Sequence, residues 1–119
     1  MVKTLIIDDA KFLRETLKEI LKNNQIEVVG EGENGIQAVE LYKQLQPDLV
    51  IMDITMPEMN GIEAISEIKS EFSDAKIIIC SALGQQKRVI EAIEAGAADF
   101  ITKPFDEDRV IEAIQRVMK

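Results

Sequence analysis

Short apolar runs alternate along the chain with longer stretches in which apolar residues return every three or four positions, the two spacings that mark strands and helices. The first run, Val2 to Asp8, predicts a strand. Leu13, Leu17, Ile20 and Leu21 then share one face of a helix over about Ala10 to Asn23, closed by a polar turn at Asn23-Asn24. A short second strand, Glu27 to Gly30, leads through the turn Asn34-Gly35 to a helix over about Gly35 to Gln46 with Ala38, Val39, Tyr42 and Leu45 inward. Pro47 blocks its continuation. Asp48 to Asp53 predicts the third strand and Met59 to Phe72 the third helix, with Ile62, Ile65, Ile68 and Phe72 on one side. Ala75 to Ser81, Gln85 to Ala95, Ala98 to Thr102 and Asp106 to Met118 complete the series as strand, helix, strand and helix. Gly96 reads as a left-handed C-cap of the fourth helix, and Val110, Ile111, Ile114 and Val117 form the inner stripe of the last.

Strict alternation of strand and helix implies an α/β fold: a doubly wound, five-stranded parallel sheet with right-handed crossovers and five helices on its two faces. The composition of the strands suggests their order. Leu5-Ile6-Ile7, Leu49-Val50-Ile51-Met52 and Ile77-Ile78-Ile79 are apolar at consecutive positions, as strands covered on both faces are. Glu27-Val28-Val29-Gly30 and Asp99-Phe100-Ile101-Thr102 are mixed and suit the edges. The order 2-1-3-4-5, the flavodoxin-like one, satisfies both conditions and puts a switch point between strands one and three. Ligands of such sheets bind beyond the carboxyl ends of the strands at that point.

The residues at those ends are Asp8-Asp9, Asp53, Ser81 and Thr102-Lys103-Pro104. Two carboxylates about 4 Å apart repel by about 4 kcal/mol at an effective dielectric of 20, so three gathered together need compensation. The ammonium of Lys103 and a hard divalent cation with oxygen ligands can supply it, and Mg²⁺ is the ion expected. The chain has no His and one Cys, which argues against zinc or a soft metal. Taken singly, Asp9 could instead cap the helix that follows it.

Composition narrows the function further. One domain, 1–119, with one shared core is expected, the chain being too short for two. A formal net charge of -8 excludes a mainly electrostatic grip on nucleic acid or an anionic membrane. Cys80 cannot form an internal disulfide and lies in an apolar run, so a buried, reduced thiol is expected, as in a cytoplasmic protein. No apolar stretch approaches the roughly 20 residues that span a bilayer, and Met1-Val2-Lys3 leads straight into a strand with no cleavage site.

The motifs Ile7-Asp8-Asp9, Met52-Asp53-Ile54-Thr55-Met56-Pro57-Glu58-Met59-Asn60-Gly61, Cys80-Ser81-Ala82 and Lys103-Pro104-Phe105 together resemble those of response-regulator receiver domains, over the whole chain. The resemblance implies that Asp53 is a phosphoacceptor, attacking a phosphohistidine on a partner kinase or a small acyl phosphate. It implies that Asp8, Asp9, Asp53 and the backbone carbonyl of Thr55 hold Mg²⁺. Lys103 would pair with one phosphoryl oxygen and the Ser81 hydroxyl would donate to another, with Lys103-Pro104 in the cis form. Ser81 and Phe100 would act as a switch, Ser81 moving toward the phosphoryl group and Phe100 rotating inward, so that the face of the fourth helix, fifth strand and fifth helix changes its affinity for a partner. Many relatives carry Tyr where this chain has Phe100, which therefore lacks the hydroxyl. Thr55 and Leu83 occupy positions that, by the same resemblance, tune access of the hydrolytic water in such domains.

Among such domains the Met56-to-Gly61 and Ser81-to-Gln86 segments look most like stand-alone chemotaxis receivers. The implied partners are a chemotaxis-type histidine kinase, a flagellar motor switch or adaptor protein and a phosphatase, the receiver being a monomer that catalyses only its own phosphorylation and dephosphorylation. A relay intermediate passing the group to a histidine phosphotransferase is the alternative. A haloacid-dehalogenase-type hydrolase would need a second aspartate two residues past the nucleophile, where this chain has Thr55. An unphosphorylated scaffold would have lost acidic residues that are all present. Lys87 and Arg88 on the fourth helix could be partner contacts or a solvated pair; Met56 and Met59, around Pro57, are expected to pack.

Overall fold

The unbroken apolar runs occupy the middle of the sheet. The computed structural model describes residues 2–119, so that Met1, the first residue of the expected domain, lies outside the described residues. The strands are β1 (Lys3–Ile7), β2 (Glu27–Gly32), β3 (Leu49–Asp53), β4 (Ile77–Ser81) and β5 (Asp99–Thr102). The helices between and after them are α1 (Lys11–Asn23), α2 (Gly35–Leu45), α3 (Gly61–Glu71), α4 (Gln86–Ala95) and α5 (Glu107–Met118). All neighbouring strands are parallel, in the order β2-β1-β3-β4-β5.

Successive strand residues point to opposite faces, so each central strand feeds two apolar layers. Leu5, Ile7, Val50, Met52, Ile77 and Ile79 pack beneath α2, α3 and α4 through Ala38, Tyr42, Ala64, Ile65, Ile68 and Ala92. Ile6, Leu49, Ile51, Ile78 and Cys80 pack on the other face with Leu17, Leu21, Val110 and Ile114 of α1 and α5. Burying one such side chain stabilises the fold by about 1.5–3 kcal/mol, which is why an apolar run without alternation specifies a central strand here.

Local chemistry moves three boundaries or orientations from those the pattern predicts. α3 starts at Gly61 and not Met59, because Asn60 and Glu63 form a reciprocal cap: Asn60 Oδ1 accepts from the Glu63 amide at 2.9 Å and Glu63 Oε1 from the Asn60 amide at 3.1 Å. β2 runs two residues past the expected Gly30, since Glu31 and Gly32 continue the ladder beside Ile6 and Ile7 although neither is apolar. Leu45, expected inward on α2, is 37% exposed; it leans over Gly30, where an added Cβ would lie 2.7 Å from its Cδ1. Gly96 follows α4 at φ 124, with its amide bonded to the carbonyls of Ala92 and Ile93, as the cap requires. Among the described residues no helix is long and apolar enough to cross a membrane.

Candidate metal centre

All five parallel strands end on one rim, and four of them bring unusual cargo there. Among the described residues the buried polar or charged side chains are Thr4, Asp8, Asp53 and Ser81; the last three sit together at strand ends above the apolar layers. Folding that much polarity into a dry position is costly unless it is paired, so its placement points to a ligand. The carboxylate oxygens of Asp8, Asp9 and Asp53 lie within 4.8 Å of one another. The ammonium of Lys103 reaches them from beyond β5, with Nζ 3.0 Å from Asp8 Oδ2 and 3.2 Å from Asp53 Oδ1.

Each group is held by backbone as well as by charge. Asp8 Oδ1 accepts from the Ala10 amide at 2.9 Å, turning the chain from β1 into α1, and the Asp8 amide donates to Gly32 O at 3.0 Å. The Lys103 amide donates to Ser81 O at 2.8 Å, which fixes the root of the lysine beside the serine, and the Lys103-Pro104 peptide is cis as the resemblance implied. Gly61 lets α3 close down on the end of β3: a Cβ there would run into the Asp53 carbonyl oxygen and lie 3.0 Å from Ile54 Cα. Asp9 does not cap α1. The cap position is Ala10, without a side-chain bond, and the Asp9 carboxylate stands exposed at the rim beside the two buried ones.

Three carboxylates face one ammonium, and the protonation equilibria register the imbalance. Burial, reinforced by the charge on Asp8 and opposed by Lys103, pushes the Asp53 carboxyl up from 3.8 to about 6. Burial works against the Lys103 ammonium, but Asp53 and Asp8 outweigh it and hold its pKa above the usual lysine value. A small hard cation suits this donor set: every available ligand atom is a carboxylate oxygen, two are pre-positioned and buried, and exposed Asp9 leaves the solvent side open for ions that keep some of their water. The residues present therefore fit Mg²⁺, and they do not fit a metal that wants imidazole or thiolate. Cys80, beside Asp53 in the next strand, is buried with its thiol held far on the protonated side by burial first and then by Asp53.

The other expected residues lie around this rim or away from it. Thr55 is exposed two residues past Asp53, and its Oγ1 accepts from Gln85 Nε2 at 2.9 Å. Leu83 is 89% exposed on the loop after Ser81. Phe100 is outside the rim, on the outer side of β5: it is half-exposed, with the Arg109 guanidinium 5.8 Å from its ring centroid, and borders an apolar depression that Leu83, Val89 and Ile90 also line. Arg109 Nη2 also donates to Phe100 O at 2.7 Å and to Asp99 Oδ1 at 3.2 Å. Met56 is buried and Met59 packs against the same core, as expected.

Sequence reasoning missed Arg14, Gln85 and Arg109. Arg14 Nη1 donates to the Asp8 carbonyl at 2.7 Å, and its Nε bonds Glu31 at 3.0 Å, bracing the acidic loop from α1 and β2. A signal existed for it, since Arg14 shares a helix face with Leu17 and Leu21, where a freely solvated charge does not belong. Nothing local marks Gln85 or Arg109, whose partners Thr55, Asp99 and the Phe100 carbonyl come from other loops and strands.

Comparison with known proteins agrees with the geometry. Residues 4–115 match the response regulator receiver domain. The chain is 60% identical to the chemotaxis protein CheY of Bacillus subtilis over 116 residues, covering 98% of this chain and 97% of that protein. It is also 60% identical to the CheY of Thermotoga maritima over 117 residues, with 98% of each covered. Among solved structures it resembles one from a CheX-CheY-BeF3-Mg²⁺ complex of Borrelia burgdorferi, at a TM-score of 0.94 and 33% identity over 99% of this chain and 90% of that one.

Proposed function

The chain belongs to the response regulator receiver family and is homologous to CheY, the regulator of phosphorylation-activated two-component signalling in chemotaxis, and on that premise we propose that Asp53 is its phosphoacceptor. One observation carries the proposal: Asp53 is the buried carboxylate at the end of the central strand β3, held 3.2 Å from Lys103 and in a cluster with Asp8 and Asp9. A carboxylate oxygen of Asp53 attacks the phosphorus of a phosphohistidine on a histidine kinase. The P–N bond breaks, the imidazole leaves with its electron pair, and an acyl phosphate remains on Asp53. Asp8, Asp9, Asp53 and the backbone carbonyl of Thr55 would hold Mg²⁺, which when bound neutralises charge on the phosphoryl oxygens. Lys103, already within reach of Asp53, pairs with one of those oxygens, and the Ser81 hydroxyl donates to another.

The output follows from two features of the outer face. Phosphorylation adds charge and acceptor atoms that draw Ser81 and its loop inward, and Phe100 rotates from its half-exposed position into the space left behind. The face of α4, β5 and α5 then changes its affinity for a flagellar motor switch or adaptor protein, reached by protein contact in the cytoplasm. The Borrelia CheX-CheY complex supports a CheX-type partner as the phosphatase of this system. The chain itself promotes only its own phosphorylation and dephosphorylation, as a monomer.

Transfer from a chemotaxis-type histidine kinase carrying labelled phosphohistidine tests the reading. Label passes to the wild type in Mg²⁺ and not to Asp53→Asn. A pull-down with the phosphorylated chain then recovers a motor switch component; recovery of a histidine phosphotransferase in its place would reverse the output half of the proposal.

A further inference from the structure

α4 begins without a side-chain cap, although its N-cap residue is Gln85. An N-cap side chain ordinarily accepts from the free amides of the first helical turn. Gln85 turns its carboxamide the other way: Oε1 accepts from the Ala82 amide at 2.7 Å, and Nε2 donates to Thr55 Oγ1 at 2.9 Å. The two groups it engages belong to different loops. Thr55 lies two residues past Asp53, before α3, and Ala82 one residue past Ser81, before α4. One side chain thus ties together the two loops that follow the central strand ends.

The segment held in this way has little else to hold it. Ala82, Leu83 and Gly84 are all exposed, Gly84 adopts φ 88 with open space where a side chain would be, and the turn bonds of the region skip them. Ser81, by contrast, is buried at the end of β4. A strand end that is rigid on one side and joined to a loose loop on the other moves when the loop is released.

We propose that Gln85 is a latch, a positioning residue that holds the Ser81–Ala82 segment in its unphosphorylated place by tying it to Thr55. The latch rests on the reading of Asp53 as phosphoacceptor. Its side-chain bonds go to Ala82 and Thr55 and not to Asp8, Asp9 or Asp53, so it acts through the positions of the two loops. Drawing Ser81 onto a phosphoryl group carries Ala82 away from Gln85, and the bond lost opposes the shift. Removing the latch removes that opposition, so the phosphoryl-bound conformation is reached more readily. One exchanged hydrogen bond corresponds to a roughly two- to tenfold change in affinity.

The test is a double-mutant cycle on the full chain with Gln85→Ala, Thr55→Val and the double variant. Binding of fluoroberyllate in Mg²⁺ is read by calorimetry, and the Ala82 amide shift by NMR. The expected result is that each single variant binds the phosphoryl mimic roughly two- to tenfold more tightly than the wild type, and that the double variant gains no more than the stronger single. The free-state Ala82 amide in both singles should shift toward its bound position. Unchanged or weaker binding by Gln85→Ala, or strictly additive effects in the double variant, would overturn the latch while leaving the phosphoacceptor reading intact. If the wild type binds no mimic, or Asp53→Asn binds it equally, the phosphoacceptor reading falls and the latch with it. Thermal unfolding midpoints of the variants, expected to match the wild type, separate a loosened loop from a loosened fold.

Discussion

The acidic rim and the outer face beside α4 and β5 are both unfinished, but in opposite chemistry. At the rim, Asp8, Asp9 and Asp53 crowd around one ammonium, so the surplus is negative charge buried over an apolar core. On the outer face, Leu83, Ile90 and Phe100 stand in solvent, and the surplus is apolar surface. A cation and a phosphoryl group relieve the first; a protein partner relieves the second. The difference teaches how an input and an output are kept apart in a chain of this size: the rim is fixed by backbone bonds and close packing, whereas the face is held by single side chains that can let go.

The sharpest way to break this contrast is to strip the rim of its cation. Lys103→Ala leaves Asp8 and Asp53 buried without their ammonium, and should destabilise the metal-free protein by about 3 kcal/mol in urea unfolding at pH 7. A loss below about 1 kcal/mol would mean that the rim is softer than its geometry indicates. Next in size is Gly61→Ala, which forces a methyl group against the Asp53 carbonyl and should cost about 2 kcal/mol while displacing the start of α3. A crystal structure of that variant with Asp53 unmoved would contradict the close-packed rim.

The charge surplus itself can be titrated. The folded carboxyl of Asp53 has its pKa raised to about 6 against 3.8 for an ordinary aspartate, so the metal-free fold holds that proton more tightly than the unfolded chain does. Its contribution to stability is complete below about pH 4 and is lost as pH rises through about 6. At pH 7 without divalent cations Asp53→Asn should therefore be the more stable protein by about 2 kcal/mol, after allowance for solvent screening, and the advantage should vanish near pH 4. Equal stability at both pH values would sink the assignment of strain to Asp53. The smallest effect belongs to the outer face: Arg109→Ala frees the Phe100 ring and should cost at most about 1 kcal/mol. Phosphorylation of Asp53 from a small acyl phosphate should be no slower than in the wild type, since a freed Phe100 ring does not oppose the inward rotation. A slowed rate would show that face and rim are not separable.

How much of this was legible in the chain divides along the same line. The strand order followed from which runs were apolar throughout, because a strand covered on both faces cannot alternate, and the rim followed because Asp8, Asp53, Ser81 and Lys103 each fall at a strand's carboxyl end. Those features depend on period and position, which a sequence carries directly. Leu45 was misread since its exposure depends on Gly30 of a neighbouring strand, and the start of α3 since a cap at Asn60 outweighs the helical period that runs back to Met59. Gln85 and Arg109 were invisible for a related reason: their bonds join residues from separate loops and strands, and neither has a local motif. What the pattern conveys is the layer a residue belongs to; what it omits is the single long-range bond.

The most direct measurement of the central claim is the intact mass of the chain after incubation with a small acyl phosphate, with Mg²⁺ or with a chelator. The expected result is one added phosphoryl group per chain in Mg²⁺, located by peptide mapping to Asp53, none in the chelator and none in Asp53→Asn. A phosphoryl group that persists in Asp53→Asn, or that forms equally well in the chelator, would contradict it.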